Sequence, residues 1–193
     1  MRKLIVHEFM TLDGVMQAPG GVDEDLDGGF PHGGWVMRNF HEDIGKTFGT
    51  LMQGVDAFLL GRRTYLGHAG AFEPLPAGDF FGDLMNAPKK YVVSRTIEKP
   101  TWRDTTIVRD DPVAFTRKLK AQPGGTILVD GSSPLVHALL QADLVDELHL
   151  TMFPVVVGQG KRVFPAGWSN TLKLESARPY PNGAVHLHYR SSR

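Results

Sequence analysis

Small, hydroxyl-bearing and cationic residues cluster directly after four apolar runs of the sequence. The clusters are GRRT (61–64), SRT (94–96), GSS (131–133) and GQGK (158–161). Glycine lets a ligand approach the backbone, while hydroxyl groups and cations bind phosphate oxygens. Each cluster taken alone has an ordinary explanation in turn geometry, helix capping or solvation of an arginine. Four of them in succession indicate a binding site for an anionic ligand.

Hydrophobic patterning predicts the elements that position these clusters. Runs that are apolar on both faces are typical of parallel strands covered by helices, and they lie at 4–10, 55–61, 90–94 and 126–131. Apolar residues at helical spacing predict helices between the strands, over 35–51, over 112–121 and after residue 133. The last of these has Ser132 or Ser133 as its cap and Pro134 in its first turn.

The last third of the chain alternates apolar and polar residues, as strands with one wet face do. The alternating stretches lie near 147–152, 171–176 and 184–189, and the PYPNG turn (179–183) predicts a closing antiparallel hairpin. His149, His186 and His188 fall on the polar side, which we expect to face water or a second subunit. Since the alternation already explains these histidines, the sequence predicts no metal site. The fold class is therefore α/β with a mixed sheet.

The clusters should meet, because parallel strands end at the same sheet edge and ligands bind there beside helix N-termini. Together they could hold a dinucleotide. The Rossmann G-x-G-x-x-G pattern is absent after the first strand. The third strand is followed by Arg95 instead of an acid, which suits a 2′-phosphate and favours NADPH over NADH.

Composition excludes several classes of function. The 193 residues suit a single domain (1–193), and 21 basic residues balance 21 acidic ones, so no net charge recruits nucleic acid. Without cysteine there is no disulfide, thiolate nucleophile or zinc-deaminase P-C-x-x-C signature. We see no signal peptide or membrane span, so we expect a cytoplasmic protein without nucleic-acid or membrane partners.

Longer motifs contain the clusters and run in order along nearly the whole chain. They are MTLDGVMQAPGG (10–21), LLGRRTY (59–65), KYVVSRT (90–96), ILVDGSSPLVHALL (127–140) and LVDELHLTMFPVVVGQGKRVF (144–164). Together they resemble the dihydrofolate reductase-like family that includes the reductase domain of bacterial riboflavin biosynthesis. The resemblance implies a three-layer α/β/α fold with a mostly parallel sheet, NADPH as hydride donor, and often a homodimer.

The same resemblance implies roles for individual residues. Cofactor phosphates would meet Gly61, Arg62 and Thr64, and the 2′-phosphate would meet Ser94, Arg95 and Thr96. The pyrophosphate would meet Gly131, Ser132 and Ser133, and the ribose or nicotinamide would lie near Gly158 and Gly160. Residues 13–18 resemble the loop that closes over the nicotinamide. This chain departs from many relatives in having serines at 132 and 133 in place of a longer glycine run.

Function is thus expected to be NADPH-dependent reduction of a small heterocyclic (pterin- or pyrimidine-like) or carbonyl substrate. Asp13, beside the nicotinamide loop, is the candidate for substrate contact or proton delivery, and a plain Asp-Gly turn is the alternative. Residues 5–36 contain no lysine or arginine but six acids, which disfavours a phosphorylated substrate unless the acidic stretch is a solvated turn. The competing reading is a non-catalytic NADP(H)-binding or sensor module on the same fold.

Overall fold

The computed structural model describes residues 1–192 and contains eight strands and five α-helices within them. The strands are β1 (Leu4–Thr11), β2 (Val55–Gly61), β3 (Lys89–Val93), β4 (Thr105–Val108), β5 (Thr126–Val129), β6 (Glu147–Phe153), β7 (Leu172–Pro179) and β8 (Val185–Ser191). The helices are α1 (Glu42–Leu51), α2 (Arg62–Phe72), α3 (Phe80–Asn86), α4 (Pro112–Ala121) and α5 (Ser133–Gln141).

All eight strands form one sheet in the order β4-β3-β2-β5-β1-β6-β8-β7. The pairs from β4 across to β6 are parallel, whereas β8 runs antiparallel to both β6 and β7. The predicted mixed sheet and its closing hairpin are therefore confirmed. Since β2, β5, β1 and β6 are parallel, their carboxyl ends meet at one edge, which we call the carboxyl edge.

Helices cover both faces of the sheet, as the two-sided apolar strands predict. On one face Leu119 of α4 and Leu139 of α5 pack against Val6 and Val129. On the other face Tyr65 and the neighbouring helices pack against alternate strand residues such as Ile5, Phe58 and Leu128. Burial of this much apolar surface supplies the main driving force for folding. Among the described helices, none is both long and apolar enough to cross a bilayer.

Three sequence expectations about local structure were wrong. The stretch 66–82 lacks clear hydrophobic periodicity, which predicts a long loop, but it contains most of α2 and the start of α3. The helix expected over 35–51 begins only at Glu42, where His41 accepts a hydrogen bond from the Asp43 amide. On the histidine side of β6 and β8, His149 (9% exposed) and His186 (7% exposed) are buried, whereas His188 is partly exposed. The rings of His149 and His186 contact each other, with centroids 5.4 Å apart.

Candidate active site

The ends of β2 and β5 lie in contact at the carboxyl edge. The Gly61 amide donates a hydrogen bond to the Gly131 carbonyl at 3.3 Å, and the Gly131–Ser132 peptide bond is cis. A Cβ at Gly61 would overlap the Ser132 side chain, and one at Gly131 would stand 2.7 Å from Thr64 Oγ1. The glycines are therefore required for this close approach. The structure thus brings together Gly61, Thr64, Gly131 and Ser132.

Two helices begin side by side at this edge without a side-chain cap. Gly61 precedes α2 and Ser132 precedes α5, and neither N-terminus receives a side-chain hydrogen bond. By contrast, Asp111 caps α4 by accepting from the Ala114 amide at 2.7 Å. Free amides at a helix N-terminus carry partial positive charge and bind anions. This pair of uncapped helices is the strongest anion-binding feature of the edge.

The third cluster follows β3 and presents a cation. Ser94 is buried, and its hydroxyl oxygen accepts from the amides of Thr96 and Ile97 at 3.2 and 3.1 Å. Arg95 is exposed, its carbonyl accepts from Arg109, and its guanidinium makes no hydrogen bond or ion pair within residues 1–192. Ser94 therefore shapes the turn, while the Arg95 side chain remains available to a ligand. Arg62 is exposed at the start of α2.

Asp13 and the glycine pair at 158 and 160 lie together beyond β1 and β6. The Asp13 carboxylate accepts from the Thr11 hydroxyl at 2.6 Å and from the Gly158 amide at 2.8 Å. The Thr11 hydrogen bond in particular lowers the pKa of Asp13, so this carboxyl is ionised at neutral pH. A Cβ at Gly160 would meet Val15 Cγ1 at 2.7 Å. Asp13 thereby ties the 13–18 loop to the glycine turn.

A cleft of about 290 Å³ opens between these two loops, lined by Gln17, Asp27, Phe30, Gln159 and Lys161. The acidic stretch beside it is largely exposed, but ion pairs attach it to the rest of the protein. Asp25 and Asp27 form ion pairs with Lys161, at 2.5 and 2.8 Å, and both also pair with Arg63. Hydrogen bonds from Arg63 and then Lys161 hold the pKa of Asp27 well below its ordinary range. Two of the six acids are thus neutralised, which weakens the expected repulsion of anions.

Asp27→Asn should loosen the segment 19–34, because Asp27 pairs with both Arg63 and Lys161. We expect limited proteolysis to cut this segment several times faster in the variant than in the wild-type protein. Asp23→Asn is the matched control, since Asp23 is exposed in the same segment and makes no ion pair within residues 1–192. Equal cleavage of both variants would show that these ion pairs do not hold the segment.

Glu8 was missed as a site residue by the sequence analysis. It lies on β1 two residues beyond the Val6–Val129 pair, so it stands beside Gly131, and it is 7% exposed. Its Oε1 has no hydrogen-bond partner among the described residues. Burial raises the pKa of Glu8 well above its ordinary value, and the Asp130 charge adds to the effect. The available signal was an acid inside the two-sided apolar run LIVHEFM.

Asp130 lies between two histidines on the opposite side of the same edge. Its carboxylate oxygens stand 2.8 Å from His7 Nδ1 and 2.8 Å from His68 Nε2. Burial alone would raise the pKa of Asp130, but the hydrogen bonds from His68 and His7 outweigh burial and hold the pKa well below its ordinary range. Because the ionised carboxylate can only accept, both ring nitrogens must donate. The three residues join β1, α2 and the end of β5.

Comparison with solved structures identifies this arrangement as the dihydrofolate-reductase fold. Dihydrofolate reductase from Enterococcus faecalis, solved with NADP(H), superposes with a TM-score of 0.62 at 16% identity, over 99% of this chain and 97% of that one. A pyrimidine reductase-like protein from Corynebacterium diphtheriae gives a TM-score of 0.66 at 15% identity, over 100% and 92% of the two chains. The three-layer fold expected from the sequence is confirmed.

Sequence comparison identifies a relative with higher sequence identity. YyaP of Bacillus subtilis is 28% identical over 193 residues, which cover 97% of this chain and 94% of YyaP. The RibD C-terminal domain family matches residues 2–186, which span every described strand and helix except most of β8. On this match, which extends along almost the entire sequence, the chain belongs to the RibD C-terminal domain family.

Proposed function

We propose that the protein is an NADPH-dependent reductase acting on a small heterocyclic or carbonyl substrate. The observation that carries the proposal is the pair of adjacent uncapped helix N-termini at Gly61 and Ser132. Both lie where glycines let the ends of β2 and β5 approach each other closely. Family membership and the NADP(H) complex of the E. faecalis enzyme support the same cofactor class.

The residues at the edge fit the charge and shape of such a cofactor. The amides that open α2 and α5, with the Thr64 and Ser132 hydroxyls, would hold the pyrophosphate. Arg62 would bind a phosphate oxygen, while Arg95 and Thr96 would contact the 2′-phosphate. The ribose and nicotinamide would lie beside the 13–18 loop near Gly158, where open space surrounds the backbone, and near Gly160, which packs against Val15. When bound there, NADPH supplies the hydride, and the protein orients it and excludes water.

Proton delivery falls to Glu8 in this proposal. A general acid must hold a proton at the working pH, and the raised pKa of the buried Glu8 meets that condition. Asp13 does not, because hydrogen bonds lower its pKa and its oxygens accept from Thr11, Val157 and Gly158. Asp13 instead positions the loop that would close over the nicotinamide, with its carboxylate available for a polar substrate contact.

The 2′-phosphate assignment predicts a cofactor preference that depends on one side chain. NADPH at 100 times its dissociation constant should raise Tm by about 5–10 °C, and NADH at the same concentration should raise it less. Arg95→Ala should remove the difference, because the exposed guanidinium is the only cation of the SRT cluster. The measurement is a thermal melt with each cofactor.

Arg117→Ala is the control for that experiment, since Arg117 is an exposed arginine on α4 that binds the Ala142 carbonyl. It should keep the full preference for NADPH. Equal stabilisation of the wild-type protein by NADPH and NADH would refute the role of Arg95.

The second candidate function is a non-catalytic NADP(H)-binding or sensor module. Glu8 argues for the reductase, because a binding module gains nothing from a buried acid with one oxygen that lacks a partner among the described residues, an arrangement that costs stability. The two functions separate on one assay: tight NADPH binding with no oxidation across pterins, pyrimidines and carbonyl compounds would select the module.

A homodimer belongs to the same proposal. Strand β7 forms an edge of the sheet, and seven of its eight residues are exposed. An open edge of this length can pair with another strand. Sedimentation equilibrium of the purified protein tests the assembly, and a monomer at micromolar concentration would contradict it.

A further inference from the structure

Three side chains that the proposed reductase does not use converge at the opposite end of β6. Glu147 and His149 lie on β6, and His188 lies opposite His149 on β8. One ligand atom from each lies within 4.8 Å of the other two. His149 lies four residues, roughly 13 Å, before the carboxyl end of β6, and Glu147 lies two residues farther from that edge.

The distances match the coordination shell of a small cation. Glu147 Oε2 stands 3.4 Å from His188 Nε2 and 3.6 Å from His149 Nε2. Ligand atoms about 2.0–2.2 Å from a tetrahedral ion stand roughly 3.3–3.6 Å from one another. The two imidazole rings are stacked, with centroids 4.1 Å apart and planes at 16°. Tilting the rings towards each other would therefore aim both nitrogens at one point near the carboxylate.

Hydrogen bonding is consistent with an available lone pair on His149. Its Nδ1 lies 3.3 Å from His186 Nε2, and His186 Nδ1 lies 3.1 Å from Thr151 Oγ1. If each Nδ1–H donates along this row towards Thr151, the His149 Nε2 lone pair faces Glu147. A partner on the second ring nitrogen is the usual way in which proteins orient a histidine ligand.

One polar atom in the cluster lacks a partner that would otherwise explain its position. His188 Nε2 is buried and has no hydrogen-bond partner among the described residues. Glu147 Oε1 forms an ion pair with Lys3 Nζ at 2.8 Å, and Glu147 Oε2 faces the two imidazole rings. A buried nitrogen lone pair beside a carboxylate oxygen is unfavourable unless a cation or proton lies between them.

We propose that Glu147, His149 and His188 form a binding site for a divalent transition-metal ion with the ligand preference of Zn²⁺. Two imidazoles and one carboxylate suit such an ion, whereas Mg²⁺ and Ca²⁺ prefer all-oxygen sites. The ion joins β6 to β8 across their antiparallel pairing. Water completes its coordination, because His188 and Glu147 are partly exposed, at 24% and 15%.

The full-length protein, freed of metal with a chelator, provides the test. Co²⁺ should produce visible d–d absorption that Zn²⁺ displaces, and Zn²⁺ at 100 times its dissociation constant should raise Tm by about 5–10 °C. Mg²⁺ should do neither. Neither readout requires cofactor or turnover, so a failed reductase assay and a failed metal titration remain distinguishable.

Variants identify the ligands. His188→Asn should abolish both responses, and Glu147→Gln should weaken Co²⁺ binding more than about tenfold. His32→Asn is the matched control, since His32 is exposed and lies outside the cluster. Far-UV circular dichroism verifies that each variant folds. If His188→Asn does not fold, Co²⁺ binding by Glu147→Gln tests the site instead. No Co²⁺ spectrum in the wild-type protein, or equal spectra in the wild-type protein and folded variants, would overturn the proposal.

Discussion

Glu8→Gln should reduce turnover at least about 100-fold while leaving NADPH binding unchanged. Glutamine keeps the shape of Glu8 but has no proton of suitable acidity, and Glu8 is a buried acid beside Gly131 whose Oε1 has no hydrogen-bond partner among the described residues. Single-turnover oxidation of NADPH, combined with a thermal melt in its presence, separates the chemical step from binding. Glu98→Gln is the control, because Glu98 is exposed and outside the site. Full activity of Glu8→Gln would show that Glu8 is not the proton donor.

The same variant has a pH signature that does not depend on the substrate. The pKa of Glu8 is raised in the folded protein, so ionisation favours the unfolded state. This loss of folding stability is absent below the pKa of Glu8 in the unfolded state, about 4.3. Above that pH it grows by up to about 1.4 kcal/mol per pH unit, until the pH reaches the pKa in the folded state. Glu8→Gln should therefore gain stability relative to the wild-type protein as the pH rises. A pH-independent difference in the free energy of unfolding would contradict this.

Asp130→Asn should lower the free energy of unfolding by about 3 kcal/mol at neutral pH. Asp130 accepts from both His7 and His68 at 2.8 Å, and an asparagine can offer an oxygen to only one of these donors. The other ring N–H then loses its partner. Chemical denaturation measures the loss, and Asp110→Asn, at an exposed position, should change stability by less than about 0.5 kcal/mol.

The loss from Asp130→Asn should shrink in acid. The depressed pKa of Asp130 contributes stability that is fully present above the unfolded pKa of about 3.9 and is lost as the pH falls below it. The wild-type and variant unfolding curves should therefore approach each other below about pH 4. A constant difference from pH 7 to pH 3 would mean that the charge of Asp130 is not the cause.

Sequence patterning predicted the frame of the fold because the central strands are buried on both faces. VDAFLLG matches β2 residue for residue, and the segment 112–121 matches α4, whose start Asp111 and Pro112 determine. Sequence patterning failed to predict elements that bury few side chains or are too short to show a period. Helix α2 buries only Tyr65 and Ala69 and includes two glycines, so it has little apolar periodicity. The four-residue strand β4 is too short to show alternation.

The anion-binding part of the site could be inferred from sequence, whereas its acid chemistry could not. Gly61 and Gly131 signal the close approach of two strand ends, and their contact depends only on local turn geometry and strand order. Glu8, Asp130 and the Glu147 cluster depend on which residues of neighbouring strands stand side by side. That strand register is a property of the assembled sheet. An alternating pattern such as HLT or HLH therefore shows which side chains share a face, but not which residue of the neighbouring strand lies beside each of them.

The uncapped starts of α2 and α5 also connect the protein's lifetime in a cell to its ligand supply. Backbone amides that lack partners leave these helix ends prone to fray, and frayed segments are where proteases begin. A phosphate-bearing ligand that occupies both ends protects them by mass action. Without that ligand the chain should be degraded faster, so its abundance in a cell would follow the supply of the ligand.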